Sequence, residues 1–456
     1  MVFNSNVFLF AFLPIVFTAF WLARTKQQRY VVLTLSGYVF YGWWDWRFCS
    51  LLLFSSVVSF TAGLMIDRSA STAGRRAWML SAITVDLGLL GFFKYYNFAA
   101  ANLARLAPDW APPALAIVLP IGISFYTFHT ISYVVDVAAG RVRATHDVFE
   151  YLAYVSLFSQ LVAGPIIRFR EIEDDLERID GPPREDDLAR GIGFFVVGLV
   201  KKAIVADSIA SWIDPMLAVH ESLSVGGAWL AALGYSLQIY YDFSGYSDMA
   251  VGLGRMFGVH IPQNFNAPYR AVGISDFWRR WHMSLSRWLR DYVYIPLGGS
   301  RRGEARTCFN LLFTMALCGL WHGANWTFVA FGVYHGVLLV AGRLVRPAVA
   351  AVPGGVKRAA TFLLVVVGFV IFRSRDLGMA GEWLGRMFGR PGGEGAVPPS
   401  LVAWVALGLT LVNVVPETWD LRFGTRLRWA PLYATAFLFA YLFVNLQQTV
   451  FLYYQF

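Results

Sequence analysis

Residues 309–326 read Phe309-Asn-Leu-Leu-Phe-Thr-Met-Ala-Leu-Cys-Gly-Leu320-Trp-His322-Gly-Ala-Asn325-Trp326. The run to Leu320 is apolar apart from Asn310 and Thr314, and Arg301, Arg302 and Arg306 stand just before it. Arginines flanking an apolar run mark the cytoplasmic end of a membrane helix. From Thr307 to His322 is about 22 Å of helix at 1.5 Å per residue, against a hydrocarbon core about 30 Å thick. His322 therefore lies deep in a membrane. An ionisable group at that depth faces a bundle interior or a wet cavity.

The whole chain agrees with this reading. Of its 456 residues, 57% are hydrophobic, 17% aromatic and 15% charged, with a mean hydropathy of +0.52. An average soluble domain is about 45–50% apolar and about 25% charged. Disorder is excluded, a water-soluble enzyme is disfavoured, and so is an outer-membrane barrel with its weak alternating pattern. The expectation is an all-α polytopic membrane protein with about ten to twelve apolar segments, some re-entrant or lying on the surface. It is read as one membrane domain over residues 1–456: N-terminal spans in 1–145, a core in 146–345 and C-terminal spans in 346–456. The net charge of +9 then belongs to cytoplasmic loops and does not indicate nucleic acid. Cys49, Cys308 and Cys318 show no metal or disulfide spacing and read as packing residues.

Basic loops set the topology. Residues 24–29, then Arg68, Arg75 and Arg76, then Arg141 and Arg143 fall on one side if each run crosses, which places the N-terminus outside. Pro120 and Gly122 interrupt one segment, and Gly164-Pro165 another. Residues 149–167 are therefore expected to be re-entrant or membrane-lying, with the charged stretch 168–190 inside.

Polar groups cluster between Gln238 and His335. The run from Gln238 through Asp242, Ser244 and Ser247 to Asp248 reads either as interhelical hydrogen bonding or as a cavity lining. Residues 275–290 are expected to form one amphipathic helix, with Ser275 as its cap. Phe277, Trp278, Trp281, Leu285, Trp288 and Leu289 fill one arc, and Arg279, Arg280, Arg287 and Arg290 the other. His282 sits on the border. Such a helix suits a membrane surface; its arginines also suit phosphate contacts. A buried imidazole is neutral unless it finds a partner, so His322 can take a proton from a hydroxyl; the alternative is a satisfied core histidine. His335 falls on another face and reads as structural. There is no HExxH, Walker motif or GxSxG serine elbow.

These stretches, with the opening Met1-Val-Phe-Asn-Ser-Asn-Val-Phe-Leu-Phe10 and Tyr294-Ile-Pro-Leu-Gly-Gly299, resemble the membrane-bound O-acyltransferase family. The likeness is to the branch concerned with bacterial alginate O-acetylation, and it covers essentially the whole chain. It implies a funnel-shaped helical bundle in the inner membrane with a periplasmic N-terminus. It matches the family's catalytic histidine to His322, and its second polar position to His282. By that likeness His322 takes the acceptor's proton, while His282 orients a thioester or stabilises developing charge. The donor substrate implied is acetyl-CoA, with no bound cofactor and no metal. Donor or substrate contacts are expected at Arg279, Arg280, Arg287, Arg290, Gln238, Asp242, Ser244 and Asn325. The implied acceptor is an exported polysaccharide, alginate-like first; peptidoglycan, cellulose, another exopolysaccharide, or D-alanyl transfer are alternatives. Implied partners are a periplasmic SGNH-type acyltransferase and membrane lipids, and no nucleic acid. A transporter or export scaffold is the competing class, since broken helices suit a transporter.

Overall fold

The computed structural model describes residues 1–345, 347–390, 393, 397–424, 429–446 and 452. Among the described residues every regular element is helical. Four helices among the described residues are long and apolar enough to cross a membrane: Trp46–Arg68, Thr72–Leu106, Trp326–Leu344 and Gly354–Arg373. Phe8–Leu22, Pro399–Val414 and Ala430–Leu446 are shorter apolar helices. The chain divides into two compact units.

The first unit comprises Met1–Phe195, Ser247–Pro262 and Phe423–Ala430. Its core holds a phenylalanine cluster, with ring centroids 5.5 Å apart for Phe8–Phe12, 5.3 Å for Phe12–Phe158 and 5.5 Å for Phe158–Phe257. The first pair is stacked and the other two are edge-on, arrangements that suit the aromatic quadrupole. The basic loops read from the sequence meet one another in this unit. Arg29 donates to the carbonyls of Ile179 and Gly181, and Tyr30 to that of Leu176. Arg75 donates to Val137 O, and Arg141 and Arg170 both reach Asp136. The charged stretch 168–190 thus lies against the same loops as residues 24–30 and 136–141, on one side of the unit. Helix Phe169–Glu177 buries Phe169, Ile172 and Leu176 there, an i, i+3, i+7 stripe.

Residues 149–167 form no single span. Helix Val148–Val155 is only about 12 Å long, and buried turns follow it. Irregular backbone at such a place needs internal partners. Gln160 Nε2 donates to Tyr154 O, and Tyr154 OH to the carbonyls of His129 and Ile167. The break at Pro120–Gly122 is also present: helix Ile123–Ala138 starts after Gly122, whose φ is +79°. A Cβ there would stand 2.6 Å from Leu161 O, so glycine meets both the left-handed turn and the close approach.

The second unit comprises Val196–Tyr246, Gln263–Arg422 and Pro431–Phe456. Its centre is the hairpin of helices Glu304–His322 and Trp326–Leu344. A Cβ on Gly319 would sit 2.0 Å from the Phe328 carbonyl oxygen, so the two backbones cross as closely as small residues allow. Asn325 caps the return helix by accepting from Thr327 N–H at 3.1 Å, and ties it to Arg375 O at 2.7 Å. His322 is thereby fixed at the tip of the hairpin.

One expected element breaks. Residues 275–290 are two short helices, Ile274–Trp278 and Met283–Leu289, followed by a π-helical turn Arg290–Tyr294. Ser275 lies inside the first helix, whose cap is Gly273. The cause of the break is tertiary. The N–H of Met283 is taken by Asn264 O at 2.9 Å, and that of Ser284 by Asn264 Oδ1 at 3.2 Å. These are donors a continuous helix would have used internally.

Candidate active site

His282 sits at the N-cap of Met283–Leu289 with φ +44° and ψ +53°, and is fully buried. Left-handed geometry at a non-glycine residue costs of order 1–3 kcal/mol and persists only where surroundings enforce it. Two bonds do so: Met283 N–H to Asn264 O, and Asn266 N–H to Arg280 O, both 2.9 Å. The imidazole Nδ1 lies 3.2 Å from Asn264 Oδ1. Its ring stands edge-on to Phe243 at 4.7 Å and at 6.0 Å from Trp321.

His322 also packs against that indole. Its ring centroid is 5.0 Å from Trp321, 5.1 Å from Phe372 and 6.2 Å from Phe331, and it is 6% exposed. The two histidine rings share the Trp321 indole as a neighbour. Aromatic rings surround both imidazoles, which leaves the ring nitrogens as the polar atoms there. His335 differs. It accepts the Trp278 indole N–H at Nδ1, 3.3 Å away, and packs against Gly368.

The other expected site residues are spread over several environments. Gln238 and Ser244 are buried, and Gln238 Oε1 and Ser244 Oγ have no hydrogen-bond partner among the described residues. Asp242 is held in an ion triad: Lys202 Nζ lies 2.6 Å from Asp242 Oδ1 and 2.6 Å from Asp207 Oδ1. Arg280 is bound to Asp276 at 3.0 Å and to Asn266 O. Arg279 is 72% exposed, and Arg290 pairs with Asp291 at 2.7 Å. Arg287 is half-buried on the same short helix as Trp288. Because the helix breaks at His282, these four arginines do not form one continuous face. Asn325 is the helix cap already described.

Sequence reasoning passed over Asn264, Ser284 and the aromatic walls Phe243, Phe331 and Phe372. It also missed Glu417, which accepts from Tyr240 OH and from Ala267 N–H, each at 2.6 Å. Ala267 is the other non-glycine residue with positive φ, +43°, so both strained positions lie in segments packed around this site.

Residues 10–372 match the model of the membrane-bound O-acyltransferase family. The chain belongs to that family. It is an O-acyltransferase and a membrane protein. Over 395 residues it is 44% identical to a probable alginate O-acetylase of Pseudomonas aeruginosa, covering 85% of this chain and 75% of the relative. It is 34% identical over 427 residues to a peptidoglycan O-acetyltransferase of Helicobacter pylori, covering 86% and 80%. It is 31% identical over 229 residues to a teichoic acid D-alanyltransferase of Bacillus subtilis, covering 48% of this acyltransferase and 58% of the relative.

Proposed function

We propose that this acyltransferase takes an acetyl group from cytosolic acetyl-CoA and passes it, through the bacterial inner membrane, toward hydroxyl groups of an exported polysaccharide. An alginate-like polymer is the favoured acceptor, because relatives at 41–44% identity carry the name alginate O-acetylase, whereas the relative named for peptidoglycan stands at 34%. A periplasmic SGNH-type acyltransferase serves as the partner that presents the polymer, and the N-terminus is periplasmic.

The observation that carries the chemistry is the pair of buried histidines that both pack against Trp321. Acyl transfer from a thioester needs a group to take the acceptor's proton and a group to steady the carbonyl as it becomes tetrahedral. The acceptor oxygen bonds to the carbonyl carbon, the carbon–sulfur bond breaks, and the hydroxyl proton ends on the leaving sulfur. His322 and His282 are the residues assigned to these tasks. Exposed arginines such as Arg279 serve the phosphates of the donor, for which guanidinium is well shaped.

Deleting the gene in its host and measuring acetyl content of the secreted polysaccharide tests this reading. Loss of acetyl groups from the uronate polymer, restored by the wild-type gene and not by His322→Ala, is expected. Unchanged polymer acetylation with altered cell-wall acetylation would instead give the acceptor to peptidoglycan.

A further inference from the structure

We propose that a groove between helices Gly354–Arg373 and Pro399–Val414 binds one anionic phospholipid, with its phosphate on Arg270 and Arg358 and an acyl chain on the apolar wall beside them.

The groove lies within the second unit and has a volume of about 280 Å³. Gly355, Arg358, Ala359 and Phe362 line it from the first helix, and Leu409 and Asn413 from the second. Positions i, i+3, i+4 and i+7 share one helix face, so the groove runs along both helices. Helix Gly354–Arg373 is long and apolar enough to span a membrane. Arg358 therefore stands about 6 Å inside its end, and Phe362 about 6 Å deeper. Arg343, near the end of Trp326–Leu344, pairs with Glu304 at 2.8 Å, and the short connection 345–353 leads on to Gly354. The charged end of the groove thus lies on the face that Arg301, Arg302 and Arg306 assign to the cytoplasm.

Both guanidiniums are held by neutral acceptors. Arg270 donates to Val412 O at 2.9 Å and to Val415 O at 2.6 Å. Arg358 donates to Tyr269 O at 3.4 Å and to Asn413 Oδ1. Among the described residues neither has a carboxylate within ion-pair distance. Other arginines of this unit do: Arg280 pairs with Asp276, Arg373 with Asp214 and Arg386 with Glu382. A guanidinium carries five N–H donors, so Arg270 and Arg358 keep donors to spare and charge without a counter-ion. Two such groups at one helix end suit the oxygens of a phosphate. Gly355 also brings the start of its helix to the groove, and the Pro353 N-cap supplies no side-chain bond there. The first N–H groups of that helix add to the attraction for an anion.

The apolar wall selects a lipid over a soluble phosphate. Ala359, Phe362 and Leu409 extend the groove toward the membrane interior from the arginines. Val356, Leu363, Val402 and Leu407 are exposed on the same two helices, as side chains that meet lipid are. A headgroup phosphate and an acyl chain match the two ends of the groove; a soluble anion leaves the apolar end unused.

The test is native mass spectrometry of the full-length protein released from nanodiscs of phosphatidylglycerol and phosphatidylcholine in equal parts. Wild type should retain one phosphatidylglycerol more firmly than phosphatidylcholine. Arg358→Gln, folded as judged by its unfolding temperature, should lower that retention about tenfold, the loss expected for a hydrogen bond to a charged group. Ala359→Trp fills the groove from an exposed position, leaves both arginines in place and should lower it too. Equal retention of the two lipids by wild type would overturn the proposal, as would unchanged phosphatidylglycerol retention in either folded variant. Inorganic phosphate that binds in lipid-free detergent and needs Arg358, with no preference for phosphatidylglycerol in nanodiscs, would give the site to a soluble anion and overturn the lipid assignment.

Discussion

Lys202, Asp207 and Asp242 are buried in the same unit as His282 and His322, yet the two groups are settled in opposite ways. The lysine lies 2.6 Å from each carboxylate, and Asp242 also accepts Leu452 N–H at 3.1 Å. The ionic groups face one another. The histidines face aromatic rings and one amide. Burial is equally deep in both places, so depth alone does not mark a catalytic group. What separates them is whether the polar atoms are turned toward opposite charge or toward aromatic rings and an amide.

The first way to break this contrast is His282→Ala. Loss of a group that steadies the developing oxyanion costs about 10²–10³ in rate, so transfer of labelled acetyl should fall by about that factor with the unfolding temperature little changed. Lys202→Met should do the reverse. Removing one partner of a buried ion group costs about 3–5 kcal/mol, visible as lowered thermal stability in detergent, while kcat per folded molecule stays near wild type. If Lys202→Met abolished turnover in folded protein, the triad would belong to the reaction and the contrast would fail.

Smaller effects sharpen it. Asn325→Ala removes the cap of Trp326–Leu344 and should cost about 1 kcal/mol of stability. A larger fall in the affinity for acetyl-CoA than in stability would return Asn325 to the donor contacts. The smallest effect concerns the first unit. His260 lies 2.9 Å from Asp175 and 3.1 Å from Asp187, and Arg255 3.0 Å from Asp187. The hydrogen bond to Asp175 raises the His260 pKa above its ordinary value, with burial opposing. Its stabilisation is therefore fully present below about pH 6.5, the ordinary imidazole value, and is lost as pH rises through the higher folded value. At 37% side-chain exposure, solvent screening holds the effect under about 1 kcal/mol. His260→Ala should flatten this pH dependence; an unaltered slope would assign it to other groups.

Much of this architecture was legible in the residues. Apolar runs and basic loops announced the membrane helices, and the loops that share a charge do meet in the first unit. Arg301 to Trp326 led to the expectation of a deep His322, which is buried at the end of Glu304–His322, and the family resemblance singled out His282. The break at His282 was not legible, because periodicity describes a helix in isolation and cannot register Asn264 arriving from another segment to take its N–H groups. Nor did periodicity show that Asp242 is held by Lys202, forty residues away in sequence. That pairing depends on helix packing, and a carboxylate in an apolar run looks the same whether it lines a cavity or meets a buried cation.

Acetyl transfer by purified protein, with labelled acetyl-CoA, polysaccharide and the periplasmic partner, tests the role of the histidine pair most directly. His322→Ala, folded as judged by its unfolding temperature, should lose transfer by about 10²–10⁴. Transfer by folded His322→Ala at the wild-type rate would contradict it.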